Sequence, residues 1–121
     1  MAKEILIIDD EPDILALAVT RLETSGYKVI TAVDAEKAWD LLAKNMPDLI
    51  LLDLLLPIMQ GDEFCKKLKS DSRFKHIPVI LFTASTIRSS FEKIQELGAD
   101  DCILKPFEAD ELLRKIKKFI N

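Results

Sequence analysis

The sequence predicts a doubly wound α/β domain, (βα)5, built on a five-stranded parallel sheet. Three observations carry that prediction. Short apolar runs rich in Ile, Leu and Val are separated by longer stretches with helical spacing. The two kinds alternate strictly, as five strand–helix units of about two dozen residues each. The central runs are almost continuously apolar, as strands covered on both faces must be. Strict alternation of this kind implies parallel strands with helices packed on both sides.

The first strand is "EILIID" (4–9). The helix after it starts at Pro12, since proline is favoured at the first helical position. It carries Ile14, Leu15, Ala18 and Leu22, and the glycine of "SGY" (25–27) stops it. "KVITA" (28–32) is the second strand, and the second helix opens on Asp34 with Ala38, Leu41 and Leu42 on one face. "DLILLD" (48–53) is the third strand, and its helix follows Gly61 with Phe64, Lys67 and Leu68. "PVILFT" (78–83) leads to a fourth helix from roughly Thr86 to Leu97, ended by Gly98. "DCILK" (101–105) precedes a fifth helix running from Glu108 through Leu112, Leu113, Ile116 and Ile120.

A chain of 121 residues, 49% hydrophobic and 31% charged, is enough for one properly cored domain and excludes disorder. No linker, repeat or low-complexity segment divides residues 1–121, so a single domain is expected, with no output domain in this chain. The net charge of −4 argues against direct nucleic-acid binding by the domain, because no basic excess is available to neutralise phosphates. The basic cluster "RKIKK" (114–118) suits the negative end of the last helix. No apolar run approaches the roughly 18 residues of a membrane span, and "MAKEILII" lacks the long apolar core of a signal peptide. A cytoplasmic protein without membrane contact is expected. Cys65 and Cys102 form no CxxC pair, and with His76 the one histidine, no zinc site is plausible. Reduced thiols are the default, and His76, in "SRFKHIP", reads as a solvated loop residue.

In open α/β sheets the binding site lies beyond the carboxyl ends of the strands. The first strand ends in Asp9, Asp10 and Glu11, the third at Asp53, the fourth at Thr83 and the fifth at Lys105. Taken singly, Asp10 or Glu11 also suits a helix cap, Thr83 a strand or cap residue, and Lys105 a solvated lysine. Those separate readings do not explain why carboxylates, a hydroxyl and an ammonium all fall at the same end of different strands. Clustered carboxylates repel one another, and a hard divalent cation such as Mg2+ relieves that repulsion while accepting phosphate oxygens. A carboxylate beside the cation is a nucleophile toward phosphorus. Asp53, the one break in the apolar run "LLDLLLP", is therefore a candidate phosphoryl acceptor.

The ordered set "IIDDEP" (7–12), "DLLLPIMQG" (53–61), "LFTAS" (81–85), "GADD" (98–101) and "LKPF" (104–107) resembles the receiver domains of two-component response regulators. The resemblance covers essentially the whole chain. It implies the flavodoxin-like strand order 2-1-3-4-5 of the chemotaxis-regulator-like fold. By matching position it implies that Asp53 is phosphorylated from a phosphohistidine of a histidine kinase or phosphotransfer protein. Asp9, Asp10, Asp53 and the backbone carbonyl of Leu55 would hold Mg2+, while Glu11 matches a commonly acidic family position. Thr83 would sense the phosphoryl group, Lys105 would pair with it, and the Lys105–Pro106 bond would be cis, a form essentially confined to proline. The implied output surface is the fourth helix, fifth strand and fifth helix, which would meet an output domain or target protein or form a phosphorylation-linked homodimer.

Cys102 departs from the family, which usually has an aromatic residue three before the lysine. Switching is then expected through Thr83 and the "ASTIRSS" loop (84–90), with smaller movement at Cys102. Leu55 and Ser85 line the rim in the family, and an apolar Leu55 is expected to slow self-dephosphorylation relative to Asn. A flavin or nucleotide protein of the same topology would want a Gly- or Ser/Thr-rich phosphate loop where this chain has "DDEPD". A haloacid-dehalogenase-like phosphatase would want an Asp where Leu55 stands. "GDEF" (61–64) matches only part of the cyclic-dinucleotide synthase signature. The remaining alternative is a receiver-like interaction module that is never phosphorylated.

Overall fold

The structure, a computed structural model, describes residues 2–54, 61–83, 87–105 and 107–120, and the side chains among them other than those of 83 and 87–90. Five strands and five helices alternate: β1 (Glu4–Ile8), α1 (Pro12–Thr24), β2 (Lys28–Ala32), α2 (Ala35–Leu42), β3 (Leu49–Asp53), α3 (Gly61–Ser70), β4 (Val79–Thr83), α4 (Ile87–Leu97), β5 (Asp101–Leu104) and α5 (Ala109–Lys117). The strands are parallel and lie in the order β2-β1-β3-β4-β5, as the resemblance implies. Strand order reverses beside β1, so the cleft between the carboxyl ends of β1 and β3 is where a ligand site is expected.

The period of two along each strand splits the core into two layers. Leu6, Ile8, Ile50, Leu52, Val79 and Leu81 face α2, α3 and α4, meeting Ala38, Phe64 and Leu97 among others. Ile5, Ile7, Leu49, Leu51, Ile80 and Phe82 face α1 and α5, meeting Ala18, Leu22, Leu112 and Ile116. Every residue of β3 is buried, which is why that run is unbroken by polar residues until Asp53. At the opposite sheet edge, Lys69 Nζ donates to the Ile77 carbonyl (2.8 Å) and to Asp100 (2.9 Å), whose carboxylate also accepts from Val79 N–H (2.8 Å). That network fixes where β4 and β5 begin.

Several local expectations are met. Asp34 caps α2, accepting from Lys37 N–H at 2.8 Å, and Gly26 follows α1 with φ +97°. Others are corrected. The first and fifth strands stop one residue early, leaving Asp9 and Lys105 just beyond them. Glu108 is the N-cap of α5 rather than its first residue, and the helix closes at Lys117, although Phe119 and Ile120 still pack on the core. Ile87–Ser90 are helix rather than loop, while residues 84–86 lie outside those described. Neither Asp10 nor Glu11 caps α1 with its side chain: Glu11 is the N-cap without a side-chain bond, and Asp9 Oδ1 accepts from Glu11 N–H at 2.9 Å instead.

The two cysteines, which form no disulfide, have different surroundings. Cys65 is fully buried, its Sγ 3.7 Å from the Leu97 carbonyl, and burial pushes its thiol up to about 11. Cys102 is half-buried on the edge strand β5. With a thiol-specific chromogenic disulfide at pH 8, the native protein should therefore show one fast-reacting thiol, removed by Cys102→Ser. The second should appear only in denaturant. Two fast thiols in the native protein would mean that the α3–α4 packing opens readily.

Candidate functional site

The carboxyl ends of β1, β3 and β5 bring the charged residues together. Asp9 leaves β1 with its N–H still bonded to the Ala32 carbonyl at 3.0 Å, so its side chain is held at the cleft. Asp53 is the last residue of β3 and pairs in register with Phe82 of β4. Asp9 is fully buried and Asp53 nearly so, whereas Asp10 is exposed at the mouth. One carboxylate oxygen from each of Asp9, Asp10 and Asp53 lies within 4.8 Å of the others.

Lys105, one residue beyond β5, reaches into this cluster. Its Nζ lies 2.8 Å from Glu11 Oε1, 3.0 Å from Asp9 Oδ2 and 3.2 Å from Asp53 Oδ2. The aromatic pair Phe82 and Phe107, stacked with centroids 5.2 Å apart, sits below it, and the Lys105 ammonium is 6.0 Å from the Phe82 ring centroid. Phe107 thus anchors the chain two residues after Lys105.

Burial is the largest influence on Asp9 and pushes its carboxyl above the ordinary range. The Glu11 N–H and the Lys105 ammonium pull it back, while the charge of Asp53 adds to the rise. For Lys105, burial pulls the ammonium down, but the bonds to Glu11 and Asp9 outweigh it, so its affinity for a proton rises. Lys105 is therefore held protonated around neutral pH. An oxygen-only donor set with two buried carboxylates suits a hard divalent ion that prefers oxygen and retains waters.

The structure thus brings together Asp9, Asp10, Asp53 and Lys105, with Glu11 on the lysine rather than in the carboxylate trio. Thr83 ends β4, paired with Leu104, but its side chain is not among those described. Leu55, Ser85 and Pro106, and with them the carbonyl ligand, the rim residues and the cis bond, lie outside the described residues. Two further residues shape the site without a role legible in the sequence. Phe107, in "LKPF", stacks on Phe82. Gly61 closes the "DLLLPIMQG" pattern, and its N–H donates to the Leu54 carbonyl at 2.9 Å. A Cβ at Gly61 would lie 2.5 Å from both the Asp53 carbonyl oxygen and Leu54 Cα.

Residues 5–117 match the response regulator receiver domain family. The chain belongs to that family. It is 42% identical, over 97% of its length, to the DNA-binding dual master transcriptional regulator RpaA of Synechocystis, of which the match covers 48%. The chain spans about half the length of the curated relatives it matches. Among solved structures, the chemotaxis response regulator CheY4 of Vibrio cholerae superposes with a TM-score of 0.92 at 28% identity, covering 99% of this chain and 100% of that one. The receiver domain of the Pseudomonas aeruginosa sensor histidine kinase PA1611 superposes with a TM-score of 0.89 at 27% identity, covering 99% and 98%. That structure has a magnesium ion coordinated in its active-site cleft. This receiver domain is thus of the two-component type, a phospho-acceptor signalling module by family.

Proposed function

We propose that Asp53 of this receiver accepts a phosphoryl group from a phosphohistidine on a histidine kinase or phosphotransfer protein. The observation that carries the reading is the meeting of Asp9, Asp10 and Asp53 within 4.8 Å, with Lys105 bonded into the same cluster. An Asp53 oxygen attacks phosphorus as the N–P bond of the donor breaks, and the donor imidazole keeps the bonding pair and takes up a proton. Asp9, Asp10 and Asp53, with the Leu55 carbonyl that the family resemblance adds, would hold Mg2+. When bound, the ion supplies neutralisation of the phosphoryl oxygens. Lys105 offers a second positive charge beside Asp53, its Nζ 3.2 Å from Asp53 Oδ2, and the Thr83 hydroxyl is the proposed sensor of the phosphoryl group. The domain assists transfer to, and hydrolysis from, its own aspartate and acts on no separate substrate.

The readout surface we assign is α4, β5 and α5. There Phe91 is 63% exposed, and with Ile94, Cys102, Leu104 and Arg114 it lines a cavity of about 560 Å³. By analogy with relatives that are transcriptional regulators, an output domain or target protein of that kind would dock there. Among the described residues no helix is long and apolar enough to cross a membrane, and a cytoplasmic setting fits a phosphohistidine donor.

Intact mass after incubation with Mg2+ and acetyl phosphate tests the reading. The expected result is a gain of one phosphoryl group that requires Mg2+. Failure to gain mass with acetyl phosphate, and failure to bind beryllofluoride, would leave a receiver-like interaction module that is never phosphorylated.

A further inference from the structure

The three N–H donors of Lys105 meet three carboxylates, and the shortest contact is to Glu11 rather than to Asp53. Two of those acceptors, Asp9 and Asp53, belong to the oxygen cluster suited to a cation, whereas Glu11 does not. The Lys105 side chain is only 12% exposed, while that of Glu11 is 56% exposed on the wall of the cleft. Glu11 is also tied to Asp9 through its own backbone, whose N–H donates to Asp9 Oδ1.

We propose that Glu11 is a positioning residue for Lys105. It is the acceptor that Lys105 keeps when Asp9 and Asp53 turn their oxygens to a divalent cation, and the one it releases to reach a phosphoryl group on Asp53. This rests on the reading of the site as a cation-assisted phosphoryl acceptor.

A largely buried ammonium deprived of its carboxylates loses solvation that nothing replaces. If Asp9 and Asp53 were the only acceptors, Lys105 and a divalent cation would compete for the same oxygens, and every gain of cation would strand the lysine. A carboxylate next to the cluster but outside it removes that conflict. Glu11 is well placed for this, because its backbone is fixed at the start of α1 while its side chain makes no capping bond there. The same contact gives Lys105 a partner to leave when Asp53 is phosphorylated, so Glu11 also tempers the lysine–phosphoryl pairing.

The test is a double-mutant cycle on Mg2+ binding to the unphosphorylated protein, read by amide NMR titration. The variants are Glu11→Gln, Lys105→Met and their combination, with Lys105→Gln as a second neutral background. Glu11→Gln should weaken Mg2+ binding about 5-fold or more when Lys105 is present, and less than about 2-fold when it is replaced. Equal losses in both backgrounds would overturn the proposal, since Glu11 would then act only as one more negative charge. No loss in either background would overturn it as well. The same samples treated with acetyl phosphate separate the two claims. Phosphoryl uptake by the native chain with equal losses in the cycle removes the role of Glu11 alone. Absence of Mg2+ binding by the native chain removes the reading of the site beneath it.

Discussion

The Asp53→Asn chain should take up no phosphoryl group from acetyl phosphate and Mg2+, yet melt at or above the native temperature. The loss should be at least about three orders of magnitude, because an amide oxygen is a poor nucleophile. The accompanying gain in stability separates lost chemistry from lost structure. Asp9 and Asp53 are both buried, and the charge of Asp53 is one of the influences that raise Asp9. Neutralising one of them relieves like-charge repulsion, while an amide oxygen at 53 still accepts from Lys105. An increase of roughly 0–5 °C in the melting temperature follows from up to about 1 kcal/mol of relief. Mass spectrometry and a thermal melt on one preparation check both halves. Undiminished phosphorylation would place the acceptor elsewhere, and a large fall in melting temperature would mean that the Asp53–Lys105 pair holds the fold together.

How much of this was legible beforehand depended on the range of the interaction. The five-fold alternation of strand and helix, the Asp34 cap and the glycines after α1 and α4 are encoded within a few residues, and all appear where the sequence puts them. The meeting of Asp9, Asp53 and Lys105 is long-range, yet it was readable because parallel topology sends every strand's carboxyl end to one edge. Rotamer choice was not readable. The sequence allowed Asp10 or Glu11 to cap α1, but the Glu11 carboxylate turns to Lys105, and Asp9 serves the Glu11 N–H from two residues earlier. Phe107 stacking on Phe82 likewise depends on how the segment after β5 folds back, and a lone aromatic after a proline carries no signal of that. Gly61 was visible as part of a pattern, but its physical reason is a distance between α3 and β3 that no local feature encodes.

That distance makes Gly61→Ala the substitution with the largest structural effect we expect. Two opposing influences act there. The φ of Gly61 is not in the left-handed region, so alanine at the start of α3 would by itself gain about 0.4–1 kcal/mol by restricting the unfolded chain. Against this, its Cβ would stand 2.5 Å from the Asp53 carbonyl oxygen and 2.5 Å from Leu54 Cα. Both are backbone atoms, at the buried end of β3 and at the residue after it, so no side chain rotation relieves the clash. Overpacking of this kind costs about 1–3 kcal/mol, and here the larger figure applies because the sheet cannot yield without disturbing β4, which pairs with Asp53 through Phe82. We expect a melting temperature lower by roughly 5–15 °C. The displaced backbone carries Asp53, so Mg2+ binding should weaken together with stability. Gly98→Ala is the contrasting variant: with φ +74° and no atom closer than 3.8 Å, it strains the backbone far from the site. It should lower the melting temperature while leaving Mg2+ affinity unchanged. If Gly61→Ala instead melted like the native protein and bound Mg2+ equally well, α3 would have to relax away from β3 freely, and the close approach would not be what positions Asp53.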